Sequence, residues 1–231
     1  MEAIRIQSFV AAEPATVWQQ LLCRPDVVLD ALPVRAWPEQ REERAPTRLV
    51  VRWPVASGGT ANTSVEISLV AVSGGTRVDL RHDGWQEEPE GQDAIAGHFA
   101  GWLQALAALG LLVETGADAR ASSSALAGRE RYFASAEIPA SPDAVHRALV
   151  DPEALPRWSD GALVGAELVQ SLEGRLGRWR LRGEPAPREL VAILRRTPRG
   201  THCALAEYGV VDRSASARWP KMLERLAQFL R

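Results

Sequence analysis

Two histidines and one aspartate are the best candidates for a chemical role in this chain. His82 and Asp83 close an alternating apolar segment, and His98 lies in the long apolar segment that follows. Strand alternation places His82 on the same face as Val78 and Leu80, close to the point where the chain enters a helix. A histidine pair at a pocket mouth could bind a carboxylate or move a proton. The alternative is a histidine hydrogen-bonded to a loop carbonyl.

No complete catalytic set accompanies these histidines. The sequence has no Gly-x-Ser-x-Gly nucleophile motif and no glycine-rich loop after a strand. None of the four histidines falls at a zinc-binding spacing, and Cys23 and Cys203 form no Cys-x-x-Cys pair. We therefore expect no catalytic residues, no metal, no cofactor and a reduced, cytoplasmic protein.

Composition and charge narrow the class of protein. Of 231 residues, 46% are hydrophobic and 24% charged, and 27 basic against 29 acidic residues give a net charge of -2. This is typical of a soluble globular protein and argues against a nucleic-acid partner. The N-terminus does not resemble a signal peptide. Segment 94–113 has no formal charge, so a membrane helix is an alternative, but His98 and Gln104 interrupt it and no basic cluster flanks it. We expect no membrane association.

The chain repeats one unit twice. "FVAAEPATVWQQLL" aligns with "EIPASPDAVHRALV", which sets Val10 on Ile138 and Pro14 on Pro142, and both read as a strand and a proline-started helix. "SLVAVSGGTRVDLRHDGW" and "ELVAILRRTPRGTHCALAEYGV" both read as hairpins of alternating strands. "GWLQALAAL" and "RWPKMLERL" share Trp-x-x-x-Leu-x-x-Leu, which is one face of a helix. Three matched blocks in one order indicate a tandem repeat.

A segment rich in Ala, Ser and Gly separates the two copies. We expect a first domain at 1–116, a linker at 117–129 and a second domain at 130–231. The second copy replaces His82 and Asp83 with Glu207 and Tyr208, and its last helix is shorter. We therefore interpret it as a reduced, degenerate copy that serves mainly to cover the first.

Each copy reads as a strand, two short helices, several antiparallel strands and a long C-terminal helix. A helix that is apolar over much of its circumference needs cover, and a curled sheet around it is an α+β solution. The proline-started helix, "GGTRVDLRHDGW" and "GWLQALAALGLLVE" resemble the START-like (SRPBCC) helix-grip superfamily. Within it, they are most similar to bacterial proteins related to the activator of the heat-shock protein 90 ATPase. The resemblance covers most of 3–114 and, more loosely, 132–230.

The resemblance implies a cavity between the sheet and the long helix that often holds an apolar ligand. Helical spacing places Ile95, Phe99 and Trp102 on one stripe, while Gly97 and Gly101 indicate either close packing or open space. The expected ligand-binding residues are Trp53, Leu80, His82, Trp85, His98, Phe99 and Trp102. Aromatic side chains line ligand pockets, but they also fill cores, so core filling is the alternative for each tryptophan.

Three functions remain open at this point. The favoured one is non-catalytic binding of a small apolar molecule, with the two copies paired within the chain. The second is a cyclase, dehydratase or hydrolase of the same superfamily, which would use His82, Asp83 and His98. The third is a chaperone-related or other protein-interaction module with a protein partner, which rests on analogy of fold.

Overall fold

The chain forms two compact units, Met1–Asp118 and Ala119–Arg231, each built on one antiparallel sheet. The computed structural model describes residues 3–32, 34, 36–53, 63–85, 89–120, 126, 131–182, 188–209 and 215–231. Each unit combines its sheet with short helices after the first strand and a long helix at its end. The α+β fold class and the tandem helix-grip organisation predicted from the sequence are confirmed.

The first unit has five strands in the order β1-β5-β4-β3-β2. Its elements are β1 (Ile4–Val10), α1 (Pro14–Cys23), α2 (Pro25–Val28), β2 (Arg41–Arg44), β3 (Arg48–Trp53), β4 (Thr63–Val72), β5 (Gly75–Asp83) and α3 (Pro89–Thr115). Buried side chains from the inner face of the sheet, from α1 and from Trp102, Leu106 and Leu109 of α3 form one hydrophobic core.

The second unit repeats this order, with its strands arranged β6-β10-β9-β8-β7. Its elements are β6 (Arg131–Ile138), α4 (Pro142–Val150), α5 (Leu155–Ser159), β7 (Glu167–Leu172), β8 (Leu176–Leu181), β9 (Arg188–Thr197), β10 (Gly200–Tyr208) and α6 (Ala215–Phe229). The described strands are equal in number in the two units. The predicted reduction lies in the final helix, which has 15 residues in α6 against 27 in α3.

Matching hydrogen bonds confirm the repeat at the level of single residues. The Thr76 hydroxyl on β5 donates to the carbonyl of Ala12 at 2.6 Å, and the Thr201 hydroxyl on β10 donates to the carbonyl of Ala140 at 2.7 Å. Strand registers continue the match, because Leu80 pairs with Ile67 where Leu205 pairs with Ala192. The same registers place Glu207 where the first unit has His82.

Helix α3 packs closely against the rest of its unit at Gly101. A Cβ atom at this position would lie 2.9 Å from the carbonyl oxygen of Ala31 and 2.9 Å from Leu32 Cδ2, whereas one at Gly97 would meet nothing within 4 Å. Close packing, one of the two alternatives for these glycines, therefore applies to Gly101. Among the described residues, no helix has the combined length and apolarity needed to cross a membrane.

The predicted linker falls at the boundary between the two units. Residues 121–125 and 127–129 of it lie outside the described residues. Ala119 and Leu126, which also belong to it, are buried. This segment therefore contributes buried side chains.

Candidate functional site

Strand β5 aims four alternate side chains into the core of the first unit. Thr76, Val78, Leu80 and His82 are all buried, and the residues between them are exposed or partly exposed. This is the alternation expected of a strand with one face on a core. His82 is the last of the four and lies beside α3. It is fully buried, as the sequence pattern predicted for its face.

Both ring nitrogens of His82 take part in hydrogen bonds. The indole N–H of Trp102 lies 3.0 Å from Nδ1, and because an indole nitrogen can only donate, Nδ1 must accept. The imidazole proton is therefore on Nε2, which donates to the Thr63 hydroxyl at 2.7 Å. That hydroxyl donates in turn to the carbonyl of Trp53 at 3.3 Å. The chain of bonds holds His82 as a neutral imidazole in one tautomer.

The surroundings of His82 oppose its protonation. Burial and, to a smaller extent, the nearby His98 lower the pKa of His82 to about 3, although Asp83 acts in the opposite direction. A proton on Nδ1 would also break the bond from Trp102. His82 is therefore neutral at physiological pH and acts as a hydrogen-bonding core residue. This is close to the alternative considered for it, with side chains rather than a loop carbonyl as its main partners.

His98 lies beside His82 and is partly exposed. The two imidazole rings are 5.2 Å apart, and the indole N–H of Trp53 points to His98 Nε2 at 3.3 Å. The ring of Trp85 lies 5.0 Å from the ring of His98 and 4.2 Å from that of His82. His98 is thus the histidine of the pair that solvent can reach.

These residues form one group, here named the aromatic cluster: Trp37, Trp53, His82, Trp85, His98 and Trp102. Trp53 contacts Trp102 at 5.1 Å and Trp37 at 6.4 Å between ring centroids. The indole of Trp85 donates to the His82 carbonyl at 3.1 Å, and that of Trp37 donates to the Leu21 carbonyl at 2.8 Å. Each indole N–H in the cluster therefore has an acceptor, as buried tryptophan requires.

The structure brings most of the predicted ligand-binding residues together. Trp53, His82, Trp85, His98 and Trp102 lie in the aromatic cluster, and Leu80 is buried in the same core. These side chains pack against one another, and Trp53, His82 and Trp102 are fully buried. At this end of the unit they lie between the sheet and α3.

The placement of Phe99 in the predicted inner stripe is wrong. Its side chain is 43% exposed, so it faces outward. The helix face directed at the sheet passes through His98, four residues before Trp102, and Phe99 lies one residue to the side of that face. Helical spacing allowed either residue, because positions three and four apart both neighbour Trp102.

Sequence reasoning missed two members of the site, Trp37 and Thr63. Thr63 begins β4 directly opposite Trp53, so strand pairing could have identified it once the register was known. Trp37 lies between α2 and β2, where no periodicity marks the buried side chains. Thr63 also lines a surface groove of about 490 Å³ with Gln40, Arg41, Glu42, Val50, Arg52 and Ser64. None of the seven predicted ligand-binding residues lines this groove.

The second unit carries a charged counterpart of the His82 site. Glu207 occupies the position of His82 and is fully buried, and its carboxylate accepts the indole N–H of Trp219 at 2.6 Å. Arg188, which occupies the position of Thr63, donates to Glu207 at 3.1 Å, and Arg218 donates at 3.4 Å. We name these four residues the carboxylate cluster. Within the described part of the chain, no group of three or more His, Cys, Asp or Glu residues could hold a metal ion.

Comparison with known proteins supports the class of fold. The family described as activator of Hsp90 ATPase homolog 1-like protein matches residues 36–114, which lie in the first unit. This confirms the resemblance found in the sequence and extends over about a third of the 231 residues. A comparison with curated proteins gave no match.

Solved structures of low identity are similar over one or both units. DynU16, from the dynemicin biosynthetic locus, is 15% identical, with 100% of this chain and 96% of that chain covered and a TM-score of 0.45. The di-domain ARO/CYC BexL, from the BE-7585A pathway, is 12% identical, with 100% and 99% covered and a TM-score of 0.40. Protein CV1439 from Chromobacterium violaceum is 19% identical, with 43% and 96% covered and a TM-score of 0.39. Such low identities and TM-scores give no basis for transferring a ligand or a reaction to this chain.

Proposed function

We propose that the first unit binds a small, mostly apolar molecule, without catalysis, at the exposed rim of the aromatic cluster. The observation that carries the proposal is the position of His98, a partly exposed imidazole whose ring neighbours are Trp53, Trp85 and His82. Indole faces provide apolar contact area, and a polar group among them orients a ligand. This arrangement is typical of small-molecule sites.

The site that we propose is at the rim of the cluster rather than in an enclosed cavity. Trp53 and Trp102 lie 5.1 Å apart and are fully buried, so the interior behind His98 is occupied by side chains. A ligand would therefore contact Trp85 and His98, while His82 and Trp102 support them from behind. Rigid support of this kind keeps the contact residues in place before a ligand arrives.

The hydrogen bonds of His82 favour a supporting role over an enzymatic one. A general base needs a nitrogen that can take a proton from a substrate, but Nδ1 of His82 accepts from Trp102 and Nε2 donates to Thr63. The Asp83 carboxylate accepts the backbone N–H of Gly84 and pairs with Arg81, and these two contacts keep the pKa of Asp83 below its usual range. We therefore propose binding in preference to a cyclase-type or hydrolase-type reaction.

Native mass spectrometry of the purified full chain, compared with the denatured chain, tests this function. We expect a mass excess that disappears on denaturation and that identifies the bound molecule. The variant His98→Ala should lower the ligand-bound fraction, because it removes the polar group at the rim. Phe99→Ala, on the next residue of the same helix but facing outward, is the matched control and should leave that fraction unchanged. A wild-type protein without excess mass, or equal losses in both variants, would contradict the proposal.

A second candidate, a protein-interaction role, is favoured by one surface of the first unit. Phe9, Val70 and Val72 are 44%, 38% and 38% exposed, and the strand registers place Phe9 and Val70 on either side of Arg77 on the outer face of the sheet. Exposed apolar side chains on neighbouring strands are typical of binding surfaces. By analogy with the name of the matching family, the partner would be an Hsp90-type chaperone. Retention of purified chaperone by wild-type protein but not by Val70→Glu supports this role, and no retention at micromolar concentrations rules it out.

A further inference from the structure

The second unit holds two arginines on one buried carboxylate. Arg188 and Arg218 each donate one hydrogen bond to Glu207, at 3.1 Å and 3.4 Å, and Trp219 donates a third at 2.6 Å. The cluster therefore has two positive charges and one negative charge. A single carboxylate accepts only a few hydrogen bonds, whereas each guanidinium carries five N–H donors. Most of the guanidinium donors must find acceptors elsewhere.

The arginines are reachable, whereas the glutamate is not. The side chains of Arg188 and Arg218 are 22% and 29% exposed, and that of Glu207 is fully buried. Nε of Arg218 is buried and has no hydrogen-bond partner within the described part of the chain. The guanidinium of Arg218 also lies over the ring of Trp219, 5.1 Å from its centroid. An anion arriving from solvent would meet two guanidinium groups before it met the carboxylate.

We infer that the carboxylate cluster is an anion-binding site, and that its ligand is a small organic carboxylate. The carboxylate of the ligand would lie between Arg188 and Arg218 and accept N–H bonds from both. Planar guanidinium groups match carboxylate geometry, and charge-assisted bonds of this kind are among the strongest in proteins. Glu207 would fix the two arginines in position, and its single negative charge offsets only one of their two positive charges. The inference concerns the second unit and does not depend on the function proposed for the first.

The equivalent position in the first unit explains why a different ligand is expected there. Thr63, His82 and Trp102 form a neutral set of hydrogen bonds at the same place in the fold. Gly101, rather than an arginine, precedes the tryptophan of α3. The two units would therefore differ in the charge of what they bind, and the second unit would be a functional site rather than only a cover for the first.

Ligand-observed NMR titration of the full chain with sodium benzoate tests the inference, with benzamide as the neutral analogue. We expect benzoate to bind at low salt. Arg218→Gln and Arg188→Gln should each weaken binding about tenfold, because each removes a charge-assisted hydrogen bond. Arg225→Gln is the matched control, since Arg225 lies two turns later on α6 in an exposed pair with Asp160. It should leave the affinity unchanged, and none of the variants should affect benzamide.

Two further variants keep the outcome decisive. If Arg218→Gln does not fold, Arg218→Lys retains the charge without the planar fork and should still weaken benzoate binding several-fold. His98→Ala, in the first unit, separates the two proposals, because it should not change benzoate affinity here. The inference is overturned if benzoate does not bind the wild-type chain, if Arg218→Gln or Arg218→Lys binds as well as wild type, or if Arg225→Gln weakens binding as much as Arg218→Gln.

Discussion

The two units satisfy the same buried tryptophan in chemically different ways. In the first unit the Trp102 indole donates to a neutral imidazole, which is held by a threonine hydroxyl. In the second the Trp219 indole donates to a carboxylate, which is held by two arginines. The buried indole N–H can thus donate to either acceptor, provided that the residue that holds the acceptor changes with it. The acceptor and the residue that holds it therefore form a unit, and the first of four predictions tests that idea directly.

The largest loss of stability is expected when the acceptor is exchanged without the residue that holds it. His82→Glu places a carboxylate in the first unit without an arginine beside it, and we expect a loss of about 4 kcal/mol in stability. Thr63→Arg in the same chain should recover about 1–2 kcal/mol, because Thr63 borders the surface groove, where a longer side chain has room. Urea unfolding of wild type, both single variants and the double variant measures the coupling. Additive effects of the two substitutions would show that the acceptor and the residue that holds it do not act as a unit.

Removal of the acceptor from the second unit is expected to lower stability slightly less than His82→Glu does. Glu207→Ala leaves the Trp219 indole without its acceptor and two guanidinium groups without their carboxylate, which should destabilise this unit by about 3 kcal/mol. The arginines can turn toward solvent, so the cost falls below that of a fully buried charge. Unfolding in urea, followed by far-ultraviolet circular dichroism, measures it. Glu224→Ala, at an exposed position of α6, the helix that carries Trp219, should change stability by less than about 0.5 kcal/mol. Equal effects at the two positions would contradict the role assigned to Glu207.

The neutral imidazole should make the first unit sensitive to acid. Because the pKa of His82 falls to about 3 in the folded state from 6.5, the unfolded chain binds the proton more readily below pH 6.5. Stability is therefore complete above pH 6.5 and falls as the pH drops toward 3, by at most about 1.4 kcal/mol per pH unit for this one group.

His82→Gln isolates this contribution, since an amide can accept from Trp102 and donate to Thr63 without titrating. We expect urea midpoints to fall less steeply with acid in the variant than in wild type. The difference between the two proteins is the relevant measurement, because burial also lowers the pKa of His202 in the second unit. Parallel pH profiles would show that titration of His82 does not contribute to the loss of stability in acid.

The smallest effect concerns the residue before each tryptophan, which is Gly101 in one unit and Arg218 in the other. Gly101→Ala should destabilise the first unit by about 1 kcal/mol, because the new methyl group meets the Ala31 carbonyl and Leu32 and outweighs the gain in helix propensity. Gly97→Ala is the matched control and should stabilise by up to about 1 kcal/mol, since it meets nothing within 4 Å. Thermal unfolding of both variants checks the signs. A stabilising Gly101→Ala would show that α3 can move away from this contact.

The sequence was sufficient to predict the repeat, the strand that carries His82 and the helix that carries His98, because both elements have strong periodicity. Alternation also predicted that His82 faces inward with Val78 and Leu80. What surrounds His82 was not predictable, because the contact with Trp102 depends on how closely α3 approaches the sheet. Arg188 illustrates the same limit: nothing in its local sequence shows that its side chain donates to a buried glutamate. Phe99 was misplaced because helical spacing alone did not distinguish it from His98.

The repeated threonine bond has a consequence for the fidelity of folding. Thr76 and Thr201 fix β5 and β10 against equivalent carbonyls, so the start of either strand would fit the opposite unit. Tandem copies of one fold are prone to such exchange of strands during folding. The far end of each strand opposes it, because β10 in the place of β5 would bury Glu207 beside Thr63 and Trp102, without an arginine. The divergence of the two acceptors thus makes each strand specific for its own unit, in addition to any role in binding.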